Sequence, residues 1–176
     1  MDARTKAAIE YYRTGENGWE ERGNFIHKVL EKMLKGQKIK AEGKYEKWIK
    51  PLQESDLFQD AEILASEYAL CDKERSVGGS FDFLLKTKDG EVILGDLKTT
   101  SSLKAAKSRK PAIEQLGAYE LMLKYNHRGL KVDKCCTLVV GPEICKPIYS
   151  DPEECEDAWD NKWLDFKNEF DALYDF

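Results

Sequence analysis

Residues 76–100 read SVGGSFDFLLKTKDGEVILGDLKTT, and this stretch decides the fold. Two apolar runs, 76–87 and 91–100, are separated by Lys88, Asp89 and Gly90. A short Asp-Gly connection between β-forming runs is a hairpin signal. In Asp96-Leu97-Lys98 the two-residue period of a strand puts the carboxylate and the ammonium on one face and Leu97 on the other. Val92, Ile93 and Leu94 precede them, so the charged pair emerges where a buried run ends. Asp82 lies on the partner strand, within cross-strand reach of Asp96. Two facing carboxylates repel unless one is protonated or a cation lies between them, and hard oxygen ligands suit Mg²⁺ or Mn²⁺.

Working outward, residues 2–12 and 19–35 have helical patterns. Ile26, Val29, Leu30, Met33 and Leu34 form the apolar stripe of the second, and Gly36 is placed to close it. A Lys-rich, partly helical segment runs to Pro51, and residues 61–72 turn to β-formers. Pro111 is expected to open a helix reaching about Tyr125. Strands are expected at 132–140 and 144–149, and a helix over 153–174. Helices, three strands, a helix, further strands and a final helix define an α/β chain, a mixed central sheet flanked by helices. Without repeats, low-complexity tracts or a Pro/Gly/Ser-rich linker, residues 1–176 read as a single domain.

Composition narrows the class. The 176 residues carry 28 Lys+Arg against 33 Asp+Glu, a net charge of -5, and 41% are hydrophobic, which is far from a disordered composition. No stretch resembles a membrane span or a signal peptide, so a cytoplasmic protein is expected. Five cysteines, two of them adjacent at 135 and 136, read as reduced thiols. An acidic total argues against a nucleic-acid partner until it is divided. Residues 151–176 hold ten acids and two bases, which leaves residues 1–150 at +3. Lys98, Lys104, Lys107, Arg109 and Lys110 stand in a stretch without acids, read as a flexible basic loop able to grip a phosphate backbone. Residues 28–50 add eight lysines against three glutamates. Tyr11, Tyr12, Trp19, Tyr45 and Trp48 offer stacking faces for unpaired bases. The acidic C-terminal helix is a candidate docking element for a protein partner.

Four motifs resemble, in order, those of the RecB-like branch of the PD-(D/E)XK nuclease superfamily. Arg22-Gly23-Asn24-Phe25-Ile26-His27, with Glu31 one turn on, resembles its N-terminal helix motif, and Gly79-x-x-Asp82 its first acidic motif. Asp96-Leu97-Lys98 resembles the D/E-x-K signature, and Gln115-Leu116-Gly117-Ala118-Tyr119 the Q-x-x-x-Y helix. The resemblance implies a restriction-endonuclease-like core and a metal-dependent deoxyribonuclease. By it Asp82, Asp96 and Lys98 are catalytic. His27, Asp82, Asp96 and the Leu97 carbonyl are metal ligands, Glu67 is a further ligand, and Glu62 is its substitute in another register. Gln115 and Tyr119 contact the scissile strand or steady the lysine, and Thr99 supports the site with the basic residues after it. Gly23, which costs about 1 kcal/mol of helix propensity, suggests a close backbone approach. Some relatives carry an iron-sulfur cluster, but the cysteines here lack the required spacing, so none is expected. The resemblance favours an exonuclease on single-stranded DNA or DNA ends, in replication, recombination or repair. The alternatives are a structure-specific or restriction-type endonuclease, and an inactive DNA-binding or assembly module.

Overall fold

The computed structural model describes residues 2–15 and 18–174. Asp175 and Phe176, at the end of the acidic segment, lie outside the described residues. The elements in chain order are α1 (Ala3–Thr14), α2 (Trp19–Leu34), α3 (Glu46–Gln53), a 3₁₀ turn (Asp56–Phe58), β1 (Glu62–Asp72), β2 (Val77–Lys86), β3 (Val92–Thr99), α4 (Leu103–Ser108), α5 (Ile113–Asn126), β4 (Lys134–Gly141), β5 (Ile144–Ser150) and α6 (Pro152–Tyr174). The strands form one five-stranded sheet in the order β1-β2-β3-β4-β5, flanked by helices in the α/β arrangement expected. β2 is antiparallel to both β1 and β3. Asp133 N donates to Val92 O (2.8 Å) and Thr100 N to Val140 O (2.9 Å). Both strands therefore advance together, and β3 and β4 run parallel. The connection between them carries α4 and α5, as a parallel pair requires. Among the described residues no helix is long and apolar enough to cross a membrane.

Local chemistry explains most boundaries. Gly36 (φ 73°) follows the last residues of α2, with Gly36 N bonded to Met33 O and Gln37 N to Lys32 O, a Schellman closure. The β2–β3 turn closes on Gly90 (φ 89°), where Gly90 N donates to Thr87 O. Two expectations are corrected. The stretch after Lys98 is not simply a flexible loop: Ser102 caps α4 by accepting from Ala105 N (3.2 Å), and Ala106 is fully buried. Pro111 precedes α5 rather than opening it, because Ala112 N is drawn to the Thr137 hydroxyl (2.9 Å) and the helix starts at Ile113.

The chain gathers into two compact units. The first comprises the segment up to Gln59, Leu97–Lys110 and Leu138–Pro147. Its core contains Ile26, Leu30, Ile49, Leu52, Leu97 and Leu138, and Trp48 Nε1 donates to Thr100 O (2.8 Å). The second comprises Asp60–Asp96, Pro111–Thr137 and the segment from Ile148 onward. There Phe81, Leu84, Leu94, Leu116, Met122, Cys135 and Cys155 form one cluster. The five cysteines are thiols that form no disulfide with one another.

Candidate functional site

The ladder between β2 and β3 pairs Lys86 with Val92, Leu85 with Ile93, Leu84 with Leu94 and Phe83 with Gly95. One place further stand Asp82 and Asp96, the two carboxylates the alternation pattern selects. Both are buried, at 6% and 3% exposure. On the other side of β2, Ser66 pairs with Phe83 and Tyr68 with Phe81, so the residue between them, Glu67, faces Asp82. Glu67, Asp82 and Asp96 thus occupy successive places across three strands of the second unit. Glu67 has φ 49°, the left-handed region that a side-chain-bearing residue adopts at a cost of about 1–3 kcal/mol. Glu62, the substitute in another register, pairs instead with Lys86 at the far end of the ladder.

Two glycines of these strands leave room for aromatic rings. A Cβ on Gly95 would overlap the Phe83 ring, and one on Gly79 would lie 2.7 Å from Tyr119 Cε1. Each ring therefore lies directly over backbone. Gln115 and Tyr119, one turn apart on α5, converge on the same place. Gln115 Nε2 donates to Asp96 Oδ1 (3.0 Å) and to the Tyr119 hydroxyl oxygen (2.7 Å). Gln115 thus orients an acid of the row. Burial raises the Tyr119 pKa; the bond from Gln115 opposes this, and the charges of Asp96, Asp82 and Glu67 add to the rise. The phenol keeps its proton in the field of three carboxylates.

Among the described residues no three His, Cys, Asp or Glu side chains are grouped closely enough to enclose a metal ion. The donor set nevertheless suits a hydrated hard cation, since Mg²⁺ is characteristically held by one or two carboxylates and keeps several waters. Asp82 and Asp96 are such a pair, and a cation would relieve their mutual repulsion.

The other residues singled out in the sequence lie in the first unit. His27, half-buried on α2, has Nδ1 2.8 Å from Gly23 O, a contact in which the ring nitrogen donates. Gly23 faces Thr99, where an added Cβ would lie 3.7 Å from Oγ1, so the close approach expected there is ordinary contact. Leu97 is fully buried, and Lys98 and Thr99 are half-buried at the end of β3. Lys104, Lys107, Arg109 and Lys110 are exposed, and Lys104 and Lys107 line a shallow cavity of about 450 Å³ with Leu103 and Ser108. Two further charged residues are buried within helices: Arg22, which the sequence shows only as the first residue of the helix motif without a role of its own, and Glu120, which no motif contains. The available signal was a charge on the apolar side of an amphipathic pattern.

No protein-family model and no curated protein matches the chain. Among solved structures, that described as "Crystal structure of SSO0001" is similar at 16% identity with a TM-score of 0.43; the match covers 77% of this chain and 57% of the other. The chain therefore spans a little over half the length of that protein.

Proposed function

We propose that the chain is a metal-dependent DNA nuclease of the RecB-like PD-(D/E)XK type, with the restriction-endonuclease-like core that this implies. In this reading it acts as an exonuclease hydrolysing phosphodiester bonds in single strands or at DNA ends, in replication, recombination or repair. The observation that carries the reading is the row Glu67, Asp82, Asp96, with Gln115 bonded to Asp96. Buried carboxylates side by side, one of them held by a dedicated amide, are unfavourable for stability alone and suit a site that receives positive charge.

Asp82 and Asp96 would hold Mg²⁺ or Mn²⁺, with the Leu97 carbonyl, His27 and Glu67 as further donors. When bound, such an ion acidifies a water and offsets phosphate charge. Lys98, two residues beyond Asp96 in β3, orients the attacking water and neutralises charge building on the phosphoryl oxygens. Gln115 fixes the Asp96 carboxylate, and Tyr119 supports the amide. Thr99, Lys104, Lys107, Arg109 and Lys110 contact the backbone of the bound strand.

The test is an assay with end-labelled linear and circular DNA, single- and double-stranded, in Mg²⁺ or Mn²⁺. Linear single strands should be degraded and circles spared. Cleavage of circles would show an endonuclease, and no cleavage of any substrate a binding or assembly module. Lys98→Ala should retain DNA binding and lose at least about 100-fold in rate. Asp96→Asn should be inactive with either ion, and robust cleavage by it would remove the site.

A further inference from the structure

Arg22 sits on α2 at 7% exposure, and its Nε is buried without a hydrogen-bond partner. Among the described residues no carboxylate pairs with it. The adjacent acids are engaged elsewhere: Glu20 reaches Arg13 at 3.6 Å, and Glu21 accepts from Lys44 at 3.0 Å. The guanidinium instead lies over the Trp48 ring, 5.8 Å from its centroid, and Trp48 is anchored through Nε1 to Thr100 O. A cation–π contact offsets only part of the desolvation of a buried cation. Burial lowers the Arg22 pKa, yet a guanidinium remains protonated at any ordinary pH. The chain therefore maintains a buried positive charge without a counter-ion. It does so on the helix whose next residue, Gly23, faces Thr99 at the end of β3, immediately after Lys98.

We propose that Arg22 is a phosphate-binding residue, its guanidinium held on Trp48 to receive a backbone phosphate of a nucleic-acid strand. The planar fork matches phosphate oxygens, and the stack fixes it before the ligand arrives. The incoming anion supplies the missing counter-charge. The inference rests on the nuclease reading for its choice of anion, and its test requires no cleavage.

The full chain is titrated in EDTA with 5′-fluorescein-labelled oligo-dT over a range of salt, followed by anisotropy, beside Arg22→Met. The variant should bind five- to tenfold more weakly, with the slope of log K against log salt reduced by about 0.7, the single-strand value for one phosphate contact. Its melting temperature without DNA should be unchanged or higher, because a desolvated charge has been removed. Oligonucleotides neutralised at one linkage by methylphosphonate provide the partner-side check. One position should cost wild type at least fivefold and the variant less than twofold. Unchanged affinity and slope, or weaker binding with an unchanged slope and a lower melting temperature, would overturn the assignment. If Arg22→Met does not fold, Arg22→Gln takes its place; failure of both to fold would show a structural arginine and likewise overturn it. Binding with the expected signature but no nuclease activity would remove the nuclease reading alone. Cleavage with an unchanged salt slope in the variant would remove this one alone.

Discussion

Glu120 lies on α5 at 1% exposure, with Oε1 3.2 Å from the Lys124 ammonium and Oε2 buried without a hydrogen-bond partner. Lys124 also binds Glu156 of α6. Burial, reinforced by Glu156 and opposed by Lys124, pushes the Glu120 pKa up to about 7 from an ordinary 4.5. Between those values the folded chain retains a proton that the unfolded chain has released, so this residue's contribution to stability is fully present below about 4.5 and is lost as pH rises to about 7. The shift sets an upper limit of about 3 kcal/mol on that loss. Glu120→Gln, neutral at every pH, should gain about 1–3 kcal/mol over wild type at pH 8 and nothing near pH 4.5. Urea unfolding at the two pH values measures the difference, and an equal gain at both would contradict the assignment. At this scale the sequence was legible where a residue's place follows from strand alternation, as for Asp82 and Asp96, which stand opposite one another on β2 and β3. What was not legible is the φ of 49° at Glu67, and the bond from Gln115 to Asp96, which joins a helix to a strand 19 residues away.

Between elements, the contact of α5 with α6 depends on one missing methyl group. A Cβ on Gly117 would overlap the carbonyl of Cys155, and a backbone carbonyl cannot swing aside as a side chain does. Gly117→Ala should therefore lose at least about 2 kcal/mol, even though alanine is the better helix former by about 1 kcal/mol. Thermal unfolding checks this, and an unchanged melting temperature would mean that the helices can part without cost. The β2–β3 hairpin and the end of α2 were legible because Asp89-Gly90 and Gly36 carry their own turn chemistry. The six residues of α4 have no readable apolar stripe and form a helix where Ser102 caps the chain and Ala106 packs beneath Gly141, which is a tertiary circumstance. The start of α5 moved for the same reason, since the Thr137 hydroxyl claims the Ala112 amide.

Across the whole molecule, the net charge of -5 is concentrated in α6, whose two ends differ in role. The first part is structural: Cys155 is fully buried, Glu156 binds Lys124, and Asp160 binds Arg75 at 2.8 Å. The later part exposes Leu164, Phe166 and Phe170. Removing residues 165–176 deletes four acids and one base and changes the net charge from -5 to -2. This truncation should lower the helical circular dichroism signal by no more than the part of α6 removed, leave the melting temperature unchanged, and raise non-specific DNA affinity about two- to threefold at low salt, with the gain fading as salt screens it. An affinity unaffected at low salt would show that the acidic end does not oppose nucleic acid. The same cut offers a direct test of the end of α6 as a docking element.

The parallel pairing of β3 with β4 has a consequence for how the chain is made. β3 meets β2 across a five-residue turn, whereas its bonds to the β4 side join Val92 to Asp133 and Thr100 to Val140, separations of 41 and 40 residues. Loop-closure entropy delays such long-range pairing relative to the hairpin. During synthesis and refolding the three-stranded meander therefore exists for a time with the far side of β3 uncovered, a strand edge of Val-Ile-Leu next to the acid row. Recovery of folded chain from denaturant should then be governed by concentration, with intermolecular strand addition competing against the arrival of β4.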